Sequence, residues 1–186
     1  MKRPREAADG GEAAEPTAQD LVKRFELEPL LPEGGFFRRT HYSETRVTAP
    51  QGERRGCNAI MYLMLSQDCS KMHRLRSDET WHFYHGSPMV IVELVESLPG
   101  HCRQTRLGSV ASGLCPAHTV MAGTWFGAFP EGDFSLVGCT LGPAFEMEDF
   151  ELGHKAELLR HFPEAKVQID RLTQVDEGEA PAGEGK

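Results

Sequence analysis

Residues 73–86 read HRLRSDETWHFYHG and place three histidines, two carboxylates and two arginines within fourteen positions. The Ser-Asp pair in the middle is typical of a turn, which predicts two strands joined there. His73 then ends the first strand and Glu79 begins the second, so their side chains can meet only across the turn. Such a pair suits metal binding or acid–base chemistry, but a cross-strand hydrogen bond on a wet face also fits the spacing.

The second of these strands carries several further polar side chains. Because side chains alternate between the two faces of a strand, Glu79 and Trp81 share one face, while His82 and Tyr84 share the other. His85, which stands next to a glycine, is interpreted as a turn residue rather than a site residue.

The middle of the chain consists of short apolar or alternating runs separated by Gly, Pro, Ser and Asp. The runs are GFFRRTHY, NAIMYLML, TWHFYHG, PMVIVELVE, CRQTRLG, HTVMAG, TWFGAF and FSLVGCTLG. About eight strands at spacings near ten residues, without long helices between them, indicate an antiparallel sandwich or barrel. We therefore predict an all-β domain. Short helices are predicted at its two ends, from TAQDLVKRFEL with Thr17 as the N-cap and from GHKAELLRHFPEA, which Pro163 ends.

The composition predicts one domain with two tails. Residues 1–16 and 174–186 are rich in Ala, Glu, Gly and Pro, which is typical of disordered segments. Residues 17–173 are predicted to form a single domain that is long enough to bury a core.

Charge and cysteine usage narrow the class of protein. The formal net charge of −8 argues against a general nucleic-acid binder. No apolar run approaches the roughly 18 residues that cross a membrane, and the N-terminus lacks the apolar core of a signal peptide. The five cysteines are odd in number and form no C-x-x-C motif, which fits reduced thiols. We predict a cytoplasmic protein without a nucleic-acid or membrane partner, and the KRPR run at residues 2–5 leaves import into the nucleus open.

The polar stretch resembles the first motif of the cupin superfamily, in which two histidines, a glutamate and a glycine follow at fixed spacing. His73, Glu79 and Gly86 stand at three of these positions, and Leu75 stands where the second histidine would be.

The MAGTWF stretch resembles the second cupin motif. Gly123 matches, while Met121 and Phe126 stand where a proline and a histidine would be. Together with PEGGFFRRTHYS and LVGCTLGPAFEMEDFEL, these motifs resemble one cupin branch, a domain of unknown function that is likened to sugar-nucleotide epimerases. The resemblance covers about residues 17–165. It implies a double-stranded β-helix, or jelly roll, that forms a homodimer and holds one small-molecule ligand inside each barrel.

The resemblance implies an incomplete metal site. A metal-dependent cupin uses three histidines and a glutamate, and Leu75 and Phe126 remove two of those four donors. Iron, manganese, zinc or nickel normally requires at least three protein ligands. A divalent metal is therefore left as an open alternative, held by His73 and Glu79, with His82 as a third ligand if a bulge turns it inward.

The candidate site residues follow from this alignment. His73 is predicted to be a catalytic base that Glu79 orients, with His82 or Tyr84 as the acid. Arg38 is the candidate anion clamp, or else forms a structural salt bridge. Trp81, Trp125 and Phe126 are predicted to wall the ligand pocket, although tryptophans in a small β domain are commonly plain core.

Three functions remain open on the sequence. The first is a metal-independent isomerase or epimerase-like enzyme acting on a small polar metabolite or sugar derivative. The second is a cupin that binds a ligand without catalysis, as a sensor or store. The third is a metal-dependent oxygenase or isomerase with an atypical ligand set.

Overall fold

The computed structural model describes residues 15–173. The two predicted tails therefore lie outside the described residues, apart from Glu15 and Pro16.

Thirteen strands and three α-helices lie within residues 15–173. The strands are β1 (Glu28–Pro29), β2 (Phe36–Tyr42), β3 (Arg46–Ala49), β4 (Gly52–Arg55), β5 (Asn58–Leu65), β6 (Ser70–Leu75), β7 (Asp78–Gly86), β8 (Met89–Leu94), β9 (Cys102–Leu107), β10 (Ala117–Val120), β11 (Phe126–Pro130), β12 (Phe134–Gly142) and β13 (Phe150–Leu152). The helices are α1 (Ala18–Phe25), α2 (Lys155–His161) and α3 (Lys166–Leu172). All eight predicted runs form strands, and none of the helices in this part of the chain is long and apolar enough to span a membrane.

The strands form two facing sheets and a separate hairpin. One sheet has the order β1-β2-β5-β12-β7-β10 and the other has the order β13-β6-β11-β8-β9, while β3 and β4 pair only with each other. Neighbouring strands in these sheets are antiparallel. This confirms the predicted all-β jelly roll. The strands β6 and β7 belong to opposite sheets, so the turn between them crosses the sandwich rather than closing a hairpin.

Alternation along the strands divides the core into layers. On β5, Tyr62 and Met64 pack between the two sheets, whereas Leu63 packs on the outer side of the same sheet. The interior also buries Trp81 and Phe126 completely. Successive side chains of β5 point to opposite faces, and both faces are covered. This explains why β5 is apolar almost throughout.

The helices cover the outer faces of the sheets. Thr17 caps α1, since its side chain accepts from Asp20 N–H and the Asp20 carboxylate accepts from Thr17 N–H, and Leu21 is buried against β5 and β12. The helices α2 and α3 cover the other sheet, where Ile169 and Leu172 are fully buried. The predicted C-terminal helix is α2, which ends just before Pro163, whereas α3, which begins at Lys166, was not predicted.

Candidate functional site

A cavity of about 200 Å³ lies between the two sheets at one end of the barrel. Apolar side chains from β2, β5, β6, β12 and the segment 143–150 form most of its wall. Its polar and titratable lining residues are Glu33, Arg39, Asn58, Tyr62, His73, Glu79 and Cys139. Leu31 and Met147 are 78% and 63% exposed and mark the mouth, while His73 and Glu79 are 2% and 6% exposed and mark the floor.

His73 projects from β6 into this floor. Its Nδ1 lies 2.7 Å from the main-chain carbonyl of Lys71, which can only accept, so Nδ1 carries a proton and donates it. The ring packs against Phe126 and Phe150, with centroids 4.2 and 5.2 Å away. Its Nε2 lies 4.0 Å from Oε1 of Glu33. The imidazole is therefore oriented by a backbone carbonyl and two aromatic rings rather than by Glu79.

Glu79 faces the same cavity from β7, on the opposite sheet. Its Oε2 accepts a hydrogen bond of 2.9 Å from the indole Nε1 of Trp81. Burial raises the pKa of Glu79 to about 8, and the nearby carboxylate of Glu33 adds to the rise. Hydrogen bonds from Trp81 and Cys139 oppose this rise without cancelling it. Because burial disfavours the ionised form of its carboxyl group, Glu79 stays protonated at neutral pH and can donate a proton.

Cys139, on β12, contacts Glu79 from the neighbouring strand. Burial raises the pKa of its thiol well above the ordinary value, and the carboxyl of Glu79 reinforces the effect. The thiol is therefore protonated and is not an activated nucleophile.

Glu33 enters the cavity from the PEGG turn that precedes β2. Its Oε1 accepts a 2.6 Å hydrogen bond from the Ser70 hydroxyl. Both glycines of the turn have positive φ, 112° at Gly34 and 74° at Gly35, and a Cβ at Gly34 would collide with the carbonyl oxygen of Cys69. The buried hydroxyl of Tyr62 donates to the Gly34 carbonyl at 2.7 Å and fixes the turn. The glycines thus place a carboxylate next to His73.

The segment between β12 and β13 covers the cavity mouth. Phe145 and Met147 line the cavity from this segment, and Phe150 lines it from the start of β13. The Phe145 N–H donates to Oδ1 of Asn58 at 2.7 Å. The segment is also held from the β3–β4 hairpin, because Arg54 makes two hydrogen bonds of 2.7 and 3.0 Å to the buried carboxylate of Asp149.

Arg38 lies outside the cavity. It is exposed on the outer face of β2, where its guanidinium bonds Glu26 at 2.8 Å and the carbonyl of Phe25 at 3.1 Å. The next residue, Arg39, lines the cavity instead. A register shift between Arg39 and His41 marks a bulge just beyond this point.

The predicted wall residues divide between three environments. Trp81 is fully buried and contributes to the site through its N–H bond to Glu79. Phe126 is buried against His73. Trp125 packs with the cluster under α2 and α3, and the guanidinium of Arg74 lies over its ring at 4.6 Å. None of these three lines the cavity.

The two predicted acids also lie away from the cavity. Nε2 of His82 is 3.5 Å from the Thr140 hydroxyl. Tyr84 is 53% exposed and lies over Gly138, where a Cβ would meet its ring. The structure therefore brings His73 and Glu79 together but leaves His82 and Tyr84 outside the cavity.

The residues present do not fit the metal site of an ordinary cupin. Leu75 lines the cavity and the Phe126 ring covers His73, so two of the four positions offer no donor. Among residues 15–173, no group of three or more His, Cys, Asp or Glu side chains is arranged to hold a metal ion.

The cavity lining includes five polar or titratable residues that were not predicted as site residues: Glu33, Arg39, Asn58, Tyr62 and Cys139. The signal available for Glu33 was an acidic residue in a glycine turn that leads directly into a strand. For Arg39 the signal was the alternation of β2, which puts neighbouring arginines on opposite faces.

Comparisons with known proteins agree with this architecture. Residues 19–153 match the family described as Cupin superfamily (DUF985). A protein from Shewanella oneidensis with a solved X-ray structure is 34% identical, with a TM-score of 0.77 over 87% of this chain and 100% of its own. A hypothetical protein from Leishmania major is 28% identical, with a TM-score of 0.77 over 84% of this chain and 98% of its own. Among curated proteins, none matches this chain.

A two-sheet jelly roll that encloses a cavity between its sheets defines a cupin-fold protein. Because the family match covers well over half of the sequence, the chain belongs to the DUF985 family of the cupin superfamily.

Proposed function

We propose that the cavity binds a small metabolite and that Glu79 and His73 transfer protons to and from it, as in an isomerase or epimerase. The observation that supports this proposal is a pair of buried groups with complementary roles facing one cavity. Glu79 holds a proton at neutral pH because its pKa is about 8. His73 has its proton fixed on Nδ1, which leaves Nε2 as an acceptor when the ring is neutral.

The proposed reaction uses each group in one direction. Nε2 of His73 removes a proton from a carbon next to a carbonyl, while the Glu79 carboxyl donates its proton to the carbonyl oxygen. The carboxylate of Glu33, 4.0 Å from Nε2, stabilises the imidazolium that forms. Isomerisation follows when His73 returns the proton to the neighbouring carbon and the Glu79 carboxylate takes a proton back from the other hydroxyl of the enediol. Epimerisation requires the enediol to turn over in the cavity before His73 returns the proton to its other face and Glu79 recovers its own proton.

The cavity favours a small metabolite that is partly apolar. Its volume of about 200 Å³ is below the roughly 300–1,000 Å³ of drug-sized sites. The walls are mostly apolar, which suits a chain or ring with few hydroxyl groups better than an unmodified sugar. Within the sequence-based proposal of a small polar metabolite or sugar derivative, we therefore favour a compound with an apolar portion.

Ligand binding without catalysis is the second candidate function. Phe126 and Leu75 are apolar at positions where the cupin motifs would place polar donors, and both are buried. A purely binding cupin would not need the proton held by Glu79, so proton exchange separates the two functions.

The test is incorporation of solvent deuterium. The protein is incubated in D₂O with small hydroxyketones, 2-oxo acids and keto sugars, first screened for binding by thermal shift. We expect a bound compound to gain deuterium next to its carbonyl. His73→Asn and Glu79→Gln should lower that rate by about 10²–10⁴-fold. His82→Asn and Tyr84→Phe, which alter residues outside the cavity, are the matched controls and should retain it.

Compounds that bind in the cavity but exchange no deuterium would contradict the catalytic proposal and support the binding function. A rate that survives both His73→Asn and Glu79→Gln would contradict the assigned roles.

We also propose a homodimer, as the family resemblance implies. Native mass spectrometry of the purified chain tests this directly. A mass of two chains is expected, and a monomer at micromolar concentration would contradict it.

A further inference from the structure

Among residues 15–173, Arg39 is the one arginine that lines the cavity, and it is exposed at the mouth. Its guanidinium lies 4.7 Å from the centroid of the Tyr42 ring, and the hydroxyl of Tyr42 is in turn bonded to Glu146 at 2.6 Å. The stacked contact holds a planar, permanently charged group beside the opening.

The neighbouring arginines are paired with carboxylates and Arg39 is not. Arg38 binds Glu26 at 2.8 Å, and Arg55 binds Glu44 at 2.8 Å. Arg54 binds both Glu148 and Asp149. Within residues 15–173, Arg39 has no ion pair with an acidic side chain, although the chain carries a formal net charge of −8. An unpaired guanidinium in a protein with excess carboxylates is available to an anion from solution.

Asn58 adds a second donor to the same lining. It is 4% exposed, and its Oδ1 is occupied by the Phe145 N–H at 2.7 Å. That bond fixes the orientation of the amide, so the remaining group is an NH₂, which only donates.

We infer that Arg39, which is exposed at the mouth, and Asn58, which is buried on the adjacent strand β5, bind a carboxylate, so that the ligand is a small carboxylic acid whose apolar body lies between the walls. The inference rests on the proposed ligand-binding role of the cavity. It places the charged end of the ligand at the mouth and the reacting end near His73 and Glu79 on the floor.

A carboxylate fits this site better than a phosphate. A guanidinium can form two parallel hydrogen bonds with either anion, but a phosphate monoester carries nearly two negative charges where a carboxylate carries one. The carboxylate of Glu33 in the same cavity makes the site less suited to a dianion.

The experiment compares three probes of similar size: phenylacetate, its neutral amide phenylacetamide, and phenyl phosphate. Affinities are measured by calorimetry at pH 7 and low salt. The NMR signal of the Trp81 indole N–H, which contacts Glu79 at the floor, reports whether each probe occupies the cavity. The variants are Arg39→Gln, Arg39→Lys and, as a matched control on the outer face of the same strand, Arg38→Gln.

We expect phenylacetate to bind at least about ten-fold more tightly than phenylacetamide, because only the carboxylate can form charge-assisted, bidentate hydrogen bonds with Arg39. Arg39→Gln should remove this preference and leave the affinity for phenylacetamide unchanged. Arg39→Lys should retain part of it, because lysine keeps the charge but lacks the planar fork. Arg38→Gln should change neither affinity.

Equal binding of phenylacetate and phenylacetamide in the cavity would overturn the inference and leave the proposed function standing. Tighter binding of phenyl phosphate would overturn it in favour of a phosphate ester. If Arg38→Gln and Arg39→Gln lower the affinity for phenylacetate equally, the effect comes from the overall charge of the protein, and this would also overturn the inference. If none of the probes shifts the Trp81 signal, the inference fails and the proposed function loses its binding site.

Discussion

His73 and Phe126 face each other across the β6–β11 pair, and their ring centroids are 4.2 Å apart. The cupin motifs would place a histidine at the second of these positions. Here an aromatic ring fills the space instead, so the imidazole is held by packing on one side and by a backbone hydrogen bond on the other.

Removal of this ring should destabilise the fold strongly. Phe126→Ala deletes a fully buried side chain, and we expect it to lower the free energy of unfolding by about 3–5 kcal/mol. Met147→Ala removes a side chain that is 63% exposed and should change stability by less than about 0.5 kcal/mol. Urea denaturation of both variants checks this, and similar midpoints would contradict the packing described for Phe126.

The raised pKa of Glu79 makes stability depend on pH. The folded protein keeps this proton up to about pH 8, whereas the unfolded chain releases it near the ordinary value of 4.5. Stability from this group is therefore fully present below about pH 4.5 and is lost as the pH rises towards 8. The slope is about 1.4 kcal/mol per pH unit. Denaturation curves between pH 5 and 8 should show it in the wild type and lack it in Glu79→Gln.

An exposed glutamate on α2 provides the control for that titration. Glu157→Gln should leave the wild-type slope intact, since Glu157 contributes no buried carboxyl. If the free energy of unfolding of the wild type and of Glu79→Gln changes in the same way between pH 5 and 8, Glu79 is not a buried, protonated group.

The segment that covers the cavity depends on a buried ion pair. Asp149 and Arg54 are 3% and 8% exposed, whereas Glu151 and Arg74 form a similar two-bond pair that is about half exposed. Asp149→Asn should lower the melting temperature by on the order of 10 °C, because it removes the buried counterion of Arg54 and leaves only the exposed Glu148. Glu151→Gln should lower it by less than about 3 °C. Equal decreases in the melting temperature of the two variants, measured by calorimetry, would show that burial does not determine how much each ion pair contributes to stability.

The turn that carries Glu33 should tolerate no side chain at Gly34. Gly100→Ala strains only the backbone, because nothing lies within 4 Å of its Cβ, and should cost about 1–2 kcal/mol. Gly34→Ala adds a collision with the backbone of Cys69 to the same kind of strain and should cost more. Chemical denaturation ranks the two variants, and the opposite order would contradict the close approach at Gly34.

The fold could be predicted from the sequence because each buried strand is a short apolar or alternating run that turn residues bound on both sides. The β3–β4 hairpin lacked that signal, since RVTA and GERR contain few apolar residues and lie at the surface apart from the buried Arg54. Helix α3 was missed because Pro163 marks the end of α2 but does not prevent a new helix from starting at Lys166.

Only those site residues that stand at the fixed spacing of a sequence motif could be predicted. His73 and Glu79 were found through their motif, but the sequence could not show that their strands belong to opposite sheets. Alternation along β2 indicates that only one of Arg38 and Arg39 faces the cavity, but it does not show which one. Localisation, import into the nucleus and the identity of the ligand stay predictions from the sequence.

The most direct test of the central claim is the pKa of Glu79 itself, measured by ¹³C NMR of the carboxyl groups over pH 4–10, with Glu79→Gln to assign the signal. We expect a titration midpoint of about 8, and therefore a protonated acid on the cavity floor at neutral pH. A midpoint near the ordinary value of 4.5 would mean that Glu79 is ionised at neutral pH and cannot serve as the proton donor.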